Sequence, residues 1–290
     1  MRVSDAARYK TVNAALQRIA ADHAKASREA STGQRVNRPS DDPQAAAELV
    51  RLRHAGSKID AHIETLRYAT SDLEQSEAAL AAASDLFVRA RELAMQGGNG
   101  ALDASGRSLL AEQVRALEQE LVGIANQQGA RGHLFAGSKT DAVPFASNGA
   151  FSGDGVDHVV DVGAGATSAS ASGALAFTAS GGRDVFTDLA QLRTALAADD
   201  SAGISASLDG LEASRKQIEQ ERGKSGLSLE KLRAADQVLE QGRVDVARAS
   251  ERVGAADAFE AFSKLTSLSG AFERAIAVSK QMLDLGSRWR

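Results

Sequence analysis

The residues of this chain that could do chemistry are few and widely spaced. Its 290 residues contain no cysteine, which excludes disulfides, thiol catalysis and cysteine-based zinc sites. The histidines form neither an HExxH pair nor another metal-ligand spacing. Two of them, His23 and His62, fall on the apolar faces of predicted helices, where packing explains a histidine better than a metal does. The histidines are His23, His54, His62, His133 and His158.

Three further groups of residues resemble fragments of known sites. Gly223-Lys224-Ser225 resembles the end of a phosphate-binding loop, but Ile218 stands where that loop requires its first glycine. Residues 153–157 combine glycines with aspartates but lack the remaining ligands of a calcium loop. Asp41 and Asp42 are adjacent, whereas acid–base catalysis needs carboxylates opposed across a substrate. We therefore predict no catalytic residue, no cofactor, no metal and no enzymatic activity.

The most regular pattern in the sequence is an apolar heptad that predicts one long helix. A second stripe of small or weakly polar residues follows three positions later. A sustained heptad indicates a helix that packs lengthwise against partner helices. Such a helix would be roughly 65 Å long at about 1.5 Å per residue, which suits a rod-shaped structural protein. The stripes are Leu52, Ile59, Leu66, Leu73, Leu80, Phe87 and Ala94, and Ala55, His62, Ala69, Ser76, Ala83 and Ala90.

Composition narrows the class of protein further. The chain is 43% hydrophobic but only 4% aromatic, so we expect slender helical bundles and no thick core. The 34 basic and 38 acidic residues give a formal charge of −4, and the basic surface of a nucleic-acid-binding protein is missing. Residues 1–10 lack the apolar core of a cleaved signal peptide, and no run has the length of a membrane span. Neither a nucleic acid nor a membrane is therefore expected as a partner.

The first half of the chain divides into three predicted helices. The first covers about residues 9–31, with Gly33 as its stop. Asp42 can cap a second helix that begins at Pro43 and ends before the third helix, at about residues 103–128. A short glycine-rich turn joins the second and third helices, which should therefore be antiparallel neighbours. The first helix carries an apolar stripe of Tyr9, Val12, Leu16 and Ile19.

A change of composition after Gly129 predicts a small insert. Residues 129–183 are rich in Gly, Ser and Ala, and the runs Val156–Val162 and Ala174–Phe177 are interpreted as short strands. The predicted fold class is mainly α. It is a long antiparallel helical bundle built from both chain termini and the central helices, with this small β-rich insert in the middle.

Helical periodicity resumes after the insert and continues towards the C-terminus. Helices are expected at 185–198 and about 204–222, with Gly223 and Gly226 breaking the pattern before a final helical region from about Leu227. The last apolar face comprises Phe259, Phe262, Leu265, Leu268, Phe272, Ile276 and Leu283. The expected division of the chain is 1–35, 36–130, 131–184, 185–252 and 253–290.

Two long segments carry a resemblance to a known family. Ser31–Pro43, with the letters STGQRVNRPSDDP, resembles the STGxRVNxPSDDP segment of the flagellar hook-associated protein 3 family, relatives of flagellin. Gly132–Phe145 is similar to that family's GxYLFxGxxTxxxPF segment, and Ala255–Phe259 and Leu265–Thr266 resemble the flagellin-type C-terminal region. The residues that match are Gly33, Arg35, Asn37, Pro39, Ser40, Asp41, Asp42, Pro43, Phe135, Gly137, Pro144 and Phe145.

The resemblance implies a structural, non-catalytic subunit of the bacterial flagellum between hook and filament. Members are exported unfolded through the flagellar type III apparatus, without a cleaved signal peptide, to an extracellular position. Their paired terminal helices form an inner tube, and the insert faces outward. The implied partners are further copies of the chain, another hook-associated protein, flagellin, and a cytoplasmic export chaperone on the C-terminal region. Residues 285–290 depart from the family's apolar tail.

Elementary energetics agree with assembly through the chain ends. An isolated helix of about 25 residues is marginal in water, and full burial of one Leu or Ile contributes only about 1.5–3 kcal/mol. We therefore expect the terminal segments to be mostly unfolded or loosely helical in the free subunit and to be completed by sister molecules.

Two other functions remain open from the residues. A flagellin would usually differ at Pro39–Pro43 and lack the Leu134–Phe145 stretch. An intracellular coiled-coil scaffold would explain the heptads but neither of the two segments.

Overall fold

Long helices make up most of the molecule. A computed structural model describes residues 2–162 and 166–287, with side chains described from residue 10 to residue 281 outside that gap. The mainly α class with a small β insert is confirmed. The helices are α1 Arg2–Thr32, α2 Pro43–Gly97, α3 Ala104–Ala125, α4 Gly173–Phe177, α5 Val185–Ala197, α6 Ser201–Gly254 and α7 Ala258–Ser287.

The strands are short and form two antiparallel pairs. Strand β1 (Gln128–Gly129) pairs with β2 (Gly132–His133), and β3 (Val159–Asp161) pairs with β4 (Ala166–Ser168). The predicted strand over 156–162 is thus shorter than expected.

The prediction of a strand at Ala174–Phe177 is wrong, because these residues lie in helix α4. The Ser172 hydroxyl caps that helix by accepting the Leu175 amide at 3.3 Å. Ala176 and Phe177 are completely buried. A four-residue apolar run carries no period that separates a buried helical turn from a strand, so the cap and the burial decide.

The chain divides into two compact units. One contains Met1–Asp60 and Gln241–Arg290, and the other contains Ala61–Glu240. Helices α2 and α6 contribute residues to both.

The core of the 61–240 unit lies among α2, α3, α5 and α6. Helices α2 and α3 are antiparallel, since Arg89 pairs with Glu120 at 2.7 Å while the Arg107 guanidinium donates to the Gly97 carbonyl, also at 2.7 Å. The predicted heptad is buried here: Leu66, Leu73, Leu80, Phe87 and Ala94 are at most 1% exposed.

The heptad prediction is less accurate towards the N-terminal end of α2. Leu52 and Ile59 are only half-buried, and His62 is exposed. Ile63, one position on, is buried in place of His62. A real helix has 3.6 residues per turn, so a strict heptad drifts around it, and the buried face shifts by one position.

The predicted break at Gly223 and Gly226 is also wrong. Helix α6 continues through both glycines. On the buried side, the Ser225 hydroxyl donates to the Glu221 carbonyl, and Leu229 and Leu232 pack against α2 residues. Arg222 and Arg233 pair with Glu77 and Glu74 of α2, each at 2.6 Å. Packing against α2 therefore outweighs the weak helix propensity of glycine.

The final helical region is interrupted at residues 255–257. Helix α6 ends at Gly254, and Asp257 begins α7 by accepting the amides of Phe259 and Glu260 at 2.9 and 3.1 Å. The interruption separates the last apolar face from the heptads of α6.

Candidate assembly surface

The family-like segment after α1 closes directly onto the joint after α6. Gly33 adopts a φ of +66°, a left-handed conformation that suits glycine at the end of a helix. Gln34 and Ala255 form an antiparallel bridge. The Arg35 amide donates to the Gly254 carbonyl at 2.7 Å, and the Ala256 amide donates to the Gly33 carbonyl at 2.9 Å. The joints α1–α2 and α6–α7 are thus fixed to each other by main-chain hydrogen bonds.

Arg35 reinforces this connection with its side chain. One guanidinium nitrogen donates to the Asp42 carboxylate at 2.9 Å, and another donates to the Val253 carbonyl at 3.0 Å. Asp42 also caps α2 by accepting the Ala45 amide at 3.0 Å, immediately before Pro43. The Ala45 amide, followed by Arg35, lowers the pKa of Asp42. The predicted cap and the predicted first residue of α2 are both confirmed.

Asp41 organises the turn that precedes α2. Its carboxylate accepts the amides of Asn37 and Arg38 at 3.2 and 2.9 Å. Partial burial acts to raise the pKa of Asp41, but these amides and the nearby positive charges of Lys25 and Arg28 outweigh it, so the pKa is lowered. Pro39 and Ser40, in the same turn, are exposed. Asp41 and Asp42 therefore both hold backbone groups in place.

Helices α1 and α7 pack along each other within the terminal unit. The His23 ring stacks on Phe272 with centroids 5.4 Å apart, and its Nε2 lies 3.1 Å from the Ser269 hydroxyl. Lys264 of α7 lies 3.7 Å from the Glu29 carboxylate of α1. The interpretation of His23 as a packed histidine fits these contacts.

The residues predicted for assembly fall into two groups. The first group is half-buried along α1 and α7: Val12, Leu16, Ile19, Leu265, Leu268, Phe272 and Ile276. The second group is exposed, with Phe259 85% and Phe262 58% accessible. The side chains of Tyr9 and Leu283 lie outside the described residues. The first group is thus partly covered within the chain, whereas Phe259 and Phe262 remain exposed in it.

The aromatic residues of the second family-like segment lie in the core of the 61–240 unit. Phe135 and Phe145 are at most 1% exposed, and Pro144 is buried. The Phe145 ring lies 5.0 to 5.6 Å from those of Phe151, Phe177 and Phe186. Such aromatic contacts stabilise a core.

Glycine is required at two positions of this segment, and one of them, Gly137, approaches a carboxylate. Gly137 has a φ of +70°, and a Cβ there would lie 2.1 Å from the Asp154 carboxylate. That carboxylate accepts the hydroxyl and the amide of Ser138 and the Val156 amide, and these bonds lower the pKa of Asp154 to about 2. Asp154 therefore holds the backbone around Ser138 and Val156 in place.

Two positioning features were not predicted from the sequence. Asn126 clamps Phe145, since its amide donates to the Phe145 carbonyl at 2.8 Å and its carbonyl accepts the Phe145 amide at 2.9 Å. Nothing local identifies a partner 19 residues away. The other feature is the end of α6 at Gly254. A glycine that is followed three residues later by a capping aspartate, here Asp257, is a sequence signal that could have indicated this end.

Within the described parts of the chain, no helix has the length and apolar character needed to cross a membrane. The same residues contain no cluster of three or more His, Cys, Asp or Glu side chains that could hold a metal ion.

Comparison with known proteins shows that the chain is similar to flagellar proteins. Residues 3–140 match the family model of the bacterial flagellin N-terminal helical region. Flagellar hook-associated protein 3 of Salmonella typhimurium is 32% identical over 146 residues, which cover 50% of this chain and 46% of that protein. Polar flagellin E of Vibrio parahaemolyticus is 32% identical over 111 residues, which cover 38% of this chain and 29% of that protein.

A solved structure extends the likeness to the fold. Flagellar hook-associated protein 3 of Legionella pneumophila aligns with a TM-score of 0.61 at 14% identity, covering 70% of this chain and 98% of that one. The sequence matches span about half the length, or less, of the relatives compared. Together the comparisons confirm the resemblance that the two segments indicated.

Proposed function

We propose that this chain, whose first half carries the helical region of bacterial flagellins, is a non-catalytic structural subunit that joins the flagellar hook to the filament. The match to a hook-associated protein 3 is longer than the match to a flagellin at the same identity, 146 against 111 residues. The observation that carries the proposal is the main-chain connection of residues 33–35 with 254–256, because it is built from the family-like segment and positions both terminal helices.

In this proposal, the terminal segments 1–35 and 253–290 are the assembly elements that line the inner tube. Helix α7 presents Phe259 and Phe262 to solvent in the single chain. Covering each of these rings removes apolar surface from water, which favours association. The segments 36–130 and 185–252 form the central bundle, and 131–184 faces outward.

The partners follow from that arrangement. Further copies of the chain and the adjacent axial proteins, another hook-associated protein and flagellin, would cover the terminal helices. Before export the same C-terminal surface would be covered by a cytoplasmic chaperone, and the chain would leave the cell unfolded and without a cleaved signal peptide. An exposed aromatic pair at the start of α7 supports a need for such protection.

The alternative function is that of a flagellin, the filament subunit. It is supported by polar flagellin E, which is also 32% identical over the residues that match. Copy number separates the two. A filament subunit is present in vast excess over the hook, whereas a joining subunit forms a short zone.

Deletion and complementation test the proposal. Cells that lack the gene should assemble hooks but carry no filaments, and the intact gene should restore them. Filaments that persist in the deletion strain would refute the proposed role.

A paired set of variants tests the aromatic surface. Phe259→Ser combined with Phe262→Ser should fail to restore filaments, while Val238→Ser, at an exposed valine of the 61–240 unit, should restore them. All three side chains are exposed, so the unfolding midpoint of the purified chain should change little in either variant. Full restoration by the double variant would remove this surface from the proposal.

A further inference from the structure

The same tripeptide occurs in two turns of the chain, so one chemical reaction can be compared at two sites. Asn99-Gly100-Ala101 and Asn148-Gly149-Ala150 have the same sequence, and both asparagines are exposed. In each, the asparagine Oδ1 accepts the alanine amide at 3.1 Å. Asparagine followed by glycine is a chemically labile pair, because a residue without Cβ leaves its backbone nitrogen free to approach the preceding side-chain amide.

The two glycine nitrogens have different environments. The Gly149 amide donates to the Ala146 carbonyl at 2.9 Å, and Gly149 is buried with a φ of +81°. The Gly100 amide has no backbone acceptor among the residues that the structure describes, and Gly100 is exposed with open space around its Cα. Only the nitrogen of Gly100 is therefore available as a nucleophile in the folded chain.

We propose that Asn99 is a site of spontaneous deamidation and that the fold protects Asn148 from the same reaction. The Gly100 nitrogen loses its proton to water and attacks Cγ of Asn99. A C–N bond forms, and the side-chain nitrogen leaves with a proton as ammonia. Water then opens the cyclic imide at either carbonyl, which gives aspartate or isoaspartate at position 99. No oxidant or reductant is involved.

The modification lies at a turn that a buried arginine holds. The Arg107 guanidinium donates to the Gly97 carbonyl at 2.7 Å and to the Asn99 carbonyl at 3.2 Å, and it also pairs with Asp199. In the isoaspartyl product the main chain runs through Cγ, and the former Asn99 carbonyl becomes a free carboxylate. Deamidation therefore changes both the length and the charge of the connection between α2 and α3.

The test measures deamidation of the purified full chain at mildly alkaline pH by peptide mass spectrometry. At each asparagine, the rate in the folded chain is divided by the rate in the denatured chain. This ratio should be roughly 2- to 10-fold higher at Asn99 than at Asn148. The Gly149 amide must give up its hydrogen bond before Asn148 can react, and one net hydrogen bond contributes about this factor. A ratio that is equal at the two sites, or higher at Asn148, would overturn the proposal.

A variant keeps the test independent of unfolding. Gly100→Ala meets no neighbouring atom and needs no left-handed φ, so the chain should fold normally. It should slow conversion of Asn99 in the folded chain several-fold and leave Asn148 unchanged. An unchanged rate at Asn99 in this folded variant would also contradict the mechanism.

Discussion

At the scale of single residues, the family-like segments act through backbone hydrogen bonds and close packing. Arg35 and Asp42 connect two joints, while Gly137 leaves room for the Asp154 carboxylate. The side chains that looked chemically suggestive in the sequence, Asp41, Asp42 and Asp154, all accept main-chain amides. The same carboxylates that could be mistaken for an active site therefore determine the shape of turns.

Asn126→Ala should destabilise the 61–240 unit. It removes two hydrogen bonds to the buried backbone of Phe145. Each unsatisfied buried group costs about 1–3 kcal/mol, so we expect a loss of roughly 2–4 kcal/mol in the free energy of unfolding, measured by urea denaturation. Gln127→Ala, at the exposed neighbouring amide side chain, is the control and should change little. Equal stability of the two variants would show that the clamp is dispensable.

Asp154 should make stability depend on pH in acid. Its pKa is lowered to about 2 by the Ser138 hydroxyl and amide and by the Val156 amide. A lowered folded-state pKa contributes stability that is complete above the ordinary value of 3.8 and is lost as the pH falls towards about 2. Asp154→Asn should therefore have a lower urea midpoint than the parent chain near pH 6. The difference between the two midpoints should shrink as the pH falls from 3.8 towards about 2. A difference that stays constant would contradict the assignment.

At the scale of elements, local chemistry explains what the sequence predicted, and tertiary packing explains what it did not. Asp42 and Pro43 predicted the start of α2, because capping is local chemistry. Gly223 and Gly226 did not end α6, because α2 supplies contacts across the helix that no local pattern reveals. Asn126 was missed for the same reason, since its partner lies in a later loop. The segment at 31–43 could be recognised as a whole, but its connection to Gly254 could not.

Replacing the glycines inside α6 should stabilise the chain. Gly223 and Gly226 have open space at the Cβ position and no left-handed φ. Alanine at each should raise the free energy of unfolding by about 0.5–1 kcal/mol, because glycine loses more backbone entropy in a helix. Thermal unfolding of the two variants measures the gain.

The control for this gain is Gly254→Ala. A Cβ at Gly254 would lie 3.0 Å from the Gln34 side chain and 3.2 Å from Leu49. This variant should gain less or lose stability. A gain equal to that of Gly223→Ala would show that the joint after α6 can accommodate a Cβ at Gly254 without strain.

At the scale of the whole molecule, the two compact units differ in what they bury. The 61–240 unit contains the large core with its aromatic cluster. In the terminal unit, the residues along α1 and α7 are mostly half-buried, and the aromatic pair at Phe259 and Phe262 is exposed. Such a division fits a subunit whose centre is stable alone and whose ends gain burial from neighbours.

Limited proteolysis should reveal this division in the free chain. Cleavage is expected first before about Arg35 and after about Val253, leaving a resistant central fragment, because half-buried helices open at low free energy. Mass spectrometry of the fragments identifies the cleavage sites. If both ends of the single chain resisted cleavage as well as the central fragment does, this would argue against completion by sister molecules.

The joining role is tested most directly by imaging flagella in which this protein carries a specific label. The label should appear as one narrow zone at the boundary between hook and filament. Label along the whole filament would identify a flagellin, and flagella without any label would contradict the account altogether.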